Sequence, residues 1–191
     1  MSNKKVPMLN RHIRALSERL VQGEPLTHNM LSWAKQHVEW SLAEGDYTAH
    51  DGVLMLVIDI NGNAAMTVGE YEPLADTSAK ALRVRSAEAR SEADETGVAP
   101  ELLAAVNNGE LAFVAPTDEC LCGTATLIEQ LAQTKGIPVT RVDIPAQLKG
   151  ALFLVSDEHG VVPAADADAA ESDAATVAFF ADGYEKLCAR R

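Results

Sequence analysis

Val53 to Ile60 is an apolar, β-branched run, followed by Asn61-Gly62 and a second strand-like run from Ala64 to Tyr71. An Asn-Gly pair between two such runs is the strongest short-range hairpin signal, because both turn positions tolerate positive φ. The sequence therefore predicts an antiparallel hairpin that ends before Pro73. Ahead of it, Ile13, Leu16 and Leu20 recur at helical spacing and Gly23 follows as a stop, which predicts a helix over residues 8–21. Thr27 is placed to cap a second helix reaching about Leu42, with Met30, Trp33, Ala34, His37, Val38 and Leu42 on one broad face. His37, between Trp33 and Trp40, reads as a helix-face histidine.

Beyond Pro73 the periodicities alternate. Residues 75–96 are polar, alanine-rich and alternately charged, and predict a helix that ends at Gly97. Pro100 to Val106 reads as a second, short helix ending at Asn107-Asn108-Gly109, and Leu111 to Ala115 as a short strand. Thr124 to Lys135 carries Leu127, Ile128 and Leu131 on one helical face and is closed by Gly136 and Pro138. Strands are expected at Val139 to Ile144, Ala151 to Val155 and Val161 to Pro163, then an Ala/Asp-rich loop over 165–175 and a last helix over 175–189. The alternation predicts a mixed α/β protein with two domains: a small helical and β-hairpin domain over residues 1–74, and a larger α/β domain over 75–191.

A chain of 191 residues can bury a real core. Acidic residues outnumber basic ones by 28 to 16, and a net charge of −12 argues against nucleic-acid or anionic-membrane partners, which require a basic surface. No apolar run approaches the length of a membrane span, and Met1 to Val6 has no apolar stretch behind it, so a cytoplasmic location is expected. The three cysteines, Cys120, Cys122 and Cys188, do not make a disulfide framework. Cys120-Leu-Cys122 lacks the two-residue spacing of a zinc knuckle and the five histidines are scattered, so no metal site is predicted.

Two segments have the make-up of a ligand site. Cys122-Gly123-Thr124-Ala125-Thr126 opens a helix; glycine permits close backbone approach, and free first-turn amides attract an anion. Thr124 is equally an ordinary helix cap. Leu152 to Val155 is a strand that runs into Ser156-Asp157-Glu158-His159-Gly160, and polar groups at the carboxyl end of a strand are where α/β proteins bind ligands. The same residues also suit a plain hairpin tip.

The order of the pieces adds to this. Asn108-Gly109-Glu110-Leu111 and Pro116 are followed by Cys122-Gly123-Thr124, a helix, Gly136-Ile137-Pro138-Val139, Phe153 and Gly160-Val161-Val162-Pro163. Over about residues 107–190 this run resembles the C-terminal part of the class IV (fold-type IV) aminotransferases, the family of D-amino-acid and branched-chain aminotransferases and aminodeoxychorismate lyases. Arg11 to Leu16 is similar to an early helix of that family, and Lys80 stands where its Schiff-base lysine precedes a helix. The resemblance implies pyridoxal 5′-phosphate (PLP) as cofactor and Lys80 as the aldimine lysine. It implies one phosphate arm from Gly123, Thr124 and Ala125, and a second from Ser156 and Asp157. PLP in such an enzyme is the electron sink, and the released lysine moves the α-proton. A homodimer is implied as well, to which the Trp33/Trp40 helix and the 53–58 strand are suited.

The sequence also departs from the family pattern. Asp157 stands where a hydroxyl is usual. The interval that should carry an acidic partner for the pyridine nitrogen is short, and Glu110, the one acid near that spacing, reads as part of the following strand. Two functions follow from the resemblance. One is a PLP-dependent aminotransferase or lyase acting on a small amino acid or keto acid. The other is a catalytically degenerate relative that binds a small anion or serves as an interaction domain.

Overall fold

A computed structural model of the chain describes residues 5–21, 23–45, 52–58 and 63–189. It divides into two compact units, one made of the described residues up to Glu72 together with Cys188 onward, the other of Pro73–Leu187.

In the first unit, α1 (Leu9–Ser17) packs on α2 (His28–Glu44), and Thr27 Oγ1 caps α2 by accepting from Met30 N–H at 3.3 Å. Ala34, Val38 and Leu42 form the buried stripe of α2. The first helix is shorter than its periodicity suggests. Leu20 and Val21 leave it as β1 (Leu20–Val21) and pair with β2 (Glu24–Pro25), because Gly23, at φ 81°, turns the chain back. β3 (Gly52–Ile58) and β4 (Ala64–Glu70) form the expected antiparallel pair, in register from Gly52↔Glu70 to Ile58↔Ala64. The Asn61-Gly62 tip lies outside the described residues.

The second unit contains α3 (Ala79–Thr96), β5 (Leu102–Asn107), β6 (Glu110–Val114), α4 (Gly123–Thr134), β7 (Val139–Val142), β8 (Ala151–Ser156), β9 (Gly160–Pro163) and α5 (Glu171–Cys188). Its five strands are ordered β7-β6-β5-β8-β9; β6 and β7 are parallel and the other neighbours antiparallel. Alternation along the central strands divides the core into two faces. Leu102, Ala104, Phe153 and Val155 pack against Ala125 and Ile128 of α4 and Val177 and Phe180 of α5. Leu103, Ala105, Leu152 and Leu154 pack with Leu82 of α3. Helices therefore cover both sides of an α/β sheet, the fold class the sequence predicts.

One element differs in kind. The stretch Pro100 to Val106, expected as a short helix, is instead the approach to and body of β5. All five residues from Leu102 to Val106 are buried. A strand covered on both faces loses its alternation, and a short apolar run of this kind looks the same as a buried helical turn. Asn108 and Gly109, at φ 51° and 77°, are a two-residue hairpin turn into β6 rather than a helix stop. The last helix also begins earlier than expected, at Glu171. Its buried Asp173 accepts from the N–H groups of Asn108 at 2.9 Å and Gly109 at 3.0 Å, holding the hairpin turn from across the unit. No helix among the described residues is long and apolar enough to cross a membrane.

Candidate functional site

The site forms where β8 ends beside the start of α4. β8 is buried along its whole length, and its last residue, Ser156, leads into the three-residue turn to β9. Ser156 Oγ accepts from His159 N–H at 2.8 Å and fixes that turn. Cys122 is the N-cap of α4, and its Sγ accepts from Ala125 N–H at 3.4 Å. The first two amides of the helix are taken by Asp157, the residue that follows the strand. Gly123 N–H donates to Asp157 Oδ2 at 3.2 Å and Thr124 N–H to Asp157 Oδ1 at 2.7 Å.

Gly123, Thr124, Ala125, Ser156 and Asp157, expected as two arms of one site, thus lie together. The amides that the resemblance assigns to a phosphate face a carboxylate supplied by the chain itself. A helix N-terminus carries about half a positive charge, and a carboxylate satisfies both the dipole and the orphan amides. Burial, followed by the nearby Asp157 carboxylate, pushes the Cys122 thiol pKa well above its ordinary value. Thr124 Oγ1 is fully buried and has no hydrogen-bond partner among the described residues.

Lys80 is not brought into this group. It is exposed in the first turn of α3, and α3 covers the sheet face opposite to α4. Asp76 caps the start of that segment by accepting from Ser78 N–H at 2.8 Å, and this bond, ahead of the Lys80 charge, lowers its carboxyl pKa. Glu110 is the first residue of β6 and is exposed.

A second polar group was not anticipated from sequence. Arg85 of α3 donates from Nε and NH2 to Glu101 Oε1 at 3.0 and 2.8 Å, and from NH1 and NH2 to the two oxygens of Glu92, both at 3.0 Å. These bonds, to Glu92 first and Glu101 second, raise the guanidinium pKa. Ser86 Oγ donates to Glu101 O at 2.9 Å and accepts from Leu103 N–H at 3.1 Å, tying α3 to the start of β5. The available signal was an acid placed directly before a fully apolar run, masked by reading that run as a helix.

No family model and no curated protein matches the chain. Solved structures do match. A fold IV-transaminase, CpuTA1, from Curtobacterium pusillum superposes with a TM-score of 0.59 at 17% identity, over 99% of this chain and 81% of that one. The chain has the fold of these transaminases. A hypothetical aminotransferase from Mycobacterium tuberculosis, in its α-ketoglutarate- and PMP-bound form, gives 0.60 at 13% identity over 96% of this chain and 86% of that one. Identities this low carry the fold and not the activity.

Proposed function

We propose that this chain is a catalytically degenerate relative of the fold-type IV enzymes, with its own Asp157 carboxylate in place of the cofactor phosphate, and that it acts as a non-enzymatic binding protein. The observation that carries this reading is the pair of bonds from Gly123 and Thr124 N–H to Asp157. PLP does not fit these residues. Its phosphate would have to reach the same amides past a fixed negative charge, and two unit charges 4 Å apart repel by about 4 kcal/mol at an effective dielectric of about 20. The exposed Lys80, on a helix of the opposite sheet face, supports the same reading.

The first unit supplies the surface for a homodimer. Trp40 is 63% exposed, and Trp33, Met55 and Val57 are exposed as well, an apolar excess that favours self-association.

The deciding experiment is the absorption spectrum of the purified protein titrated with PLP, followed by borohydride reduction and peptide mapping. A spectrum equal to that of free PLP, with no labelled lysine, is expected. A reducible aldimine band with the label on Lys80 would overturn this reading and favour an active aminotransferase or lyase for a small amino or keto acid. Sedimentation of the wild type and of Trp40→Glu tests the dimer, with association lost in the variant.

A further inference from the structure

We propose that Glu101, Glu158 and His159 form a site for a divalent transition metal ion, with Zn²⁺ as the best-matched cation. The pairing Leu102↔Val155 sets the start of β5 beside the end of β8, so Glu101 meets the turn that carries Glu158 and His159. One carboxylate oxygen from each glutamate and one imidazole nitrogen all lie within 4.8 Å of one another. Glu158 Oε1 and His159 Nε2 are 4.0 Å apart. Zinc holds oxygen and nitrogen ligands at about 2.0–2.2 Å, which sets tetrahedral ligand atoms about 3.4 Å apart, so an inward movement on the order of 1 Å closes the group around one ion. Glu158, on the turn and 42% exposed, has the freedom to make that movement.

The independent pointer to a ligand is Glu101. The residue is 7% exposed, and its Oε1 is engaged by Arg85 while its Oε2 is buried with no hydrogen-bond partner among the described residues. A buried carboxylate oxygen without a donor is costly unless a cation meets it. The surrounding charge agrees. The Arg85 guanidinium is already shared between Glu92 and Glu101, and Glu158 adds a further carboxylate to the group. The His159 side chain is only 6% exposed, and its backbone is held by Ser156 Oγ, so the imidazole is positioned before any ion arrives. One imidazole with two carboxylates selects a borderline ion over Mg²⁺ or Ca²⁺, which prefer oxygen alone. Three protein ligands leave a coordination position to solvent.

The proposal does not rest on the fate of the cofactor phosphate. Its test is calorimetric and thermal titration with ZnCl₂ of the full chain after treatment with a chelator. Wild type is expected to bind one equivalent with a rise in Tm. Glu158→Gln and His159→Gln are expected to weaken binding at least about tenfold and to suppress the Tm rise, as loss of a ligand does. Glu39→Gln, an exposed acid of the first unit, leaves both unchanged. Because Glu101→Gln also removes a partner of Arg85, the surface variant Glu158→Gln carries the decision. No saturable binding up to about 1 mM Zn²⁺ overturns the site. So does equal binding by wild type and the two ligand variants, which would place the ion on other groups. Displacement of Zn²⁺ by equimolar Mg²⁺ overturns the assigned ligand set.

Discussion

The carboxylate of Asp157 accepts from the backbone N–H of Thr124 at 2.7 Å, joining the end of one strand to a helix that begins 34 residues earlier. Its other oxygen takes Gly123 N–H. The cap of α4 is therefore shared between a local residue, Cys122, and a remote one. Replacing Asp157 by alanine is expected to lower stability by about 1 kcal/mol, the usual worth of a capping side chain at a helix N-terminus. Asparagine, which keeps an acceptor and loses the charge, should lose less. Denaturant melts of the three proteins check the order.

If Asp157 is an internal anion, removing it should open the amides to an external one. In Asp157→Ser the α4 amides and a hydroxyl face an empty position, and inorganic phosphate is expected to raise the Tm of the variant while leaving the wild type unchanged. Equal shifts in both proteins would show that Asp157 does not guard these amides.

Gly160 opens β9 at φ 72°, and a Cβ added there would meet the ring of Tyr184 on α5. Both backbone strain and overlap then act against a side chain. Gly160→Ala is expected to cost more than about 2 kcal/mol, above the range of ordinary surface changes. Adding Tyr184→Ala to that variant relieves the overlap and leaves the strain, about 1 kcal/mol for a residue forced to positive φ. A double-mutant cycle measured by chemical denaturation separates the two contributions.

The Cys122 thiol is held neutral, by burial first and by Asp157 second. Its folded pKa lies above its unfolded one, so its contribution to stability is complete below the unfolded thiol value of about 8.5 and declines as pH rises beyond it. Stability measured upward from that pH should fall, and less so in Cys122→Ala. In labelling with iodoacetamide at mildly alkaline pH, Cys120 and Cys188, both partly exposed, should react well before Cys122.

The helices of the chain were legible wherever their ends carry chemistry. Thr27 caps α2, and Gly97, at φ 71°, closes α3 where the sequence placed its stop. The strand pair at 53–71 and the sheet strands around 112, 140, 153 and 162 followed from apolar runs between turns. β5 did not. Its Leu102–Val106 run is buried on both faces, so it has neither the alternation of a half-buried strand nor the length that would exclude a helix. Nearness in space was legible for Gly123 with Asp157, through the order of motifs, while the bonds between them were not. A carboxylate in that position reads in sequence as repulsion of a ligand, and in the fold it is the partner the amides already have. The Glu101, Glu158 and His159 group has no spacing that sequence could show, because only the pairing of β5 with β8 brings Glu101 to the adjacent pair Glu158-His159.

The hold of Asp173 on the Asn108-Gly109 turn has a bearing on how the protein is made. The turn leaves the ribosome 65 residues before the carboxylate that secures its amides. During that interval β5 and β6 lack Val177 and Phe180, which later close over one face of the sheet. Contacts of such separation close late and set the pace of folding. A nascent chain halted before Glu171 would thus present an apolar sheet face that α4 covers only in part, and a stop codon there would yield a client of chaperones and not a smaller version of this protein.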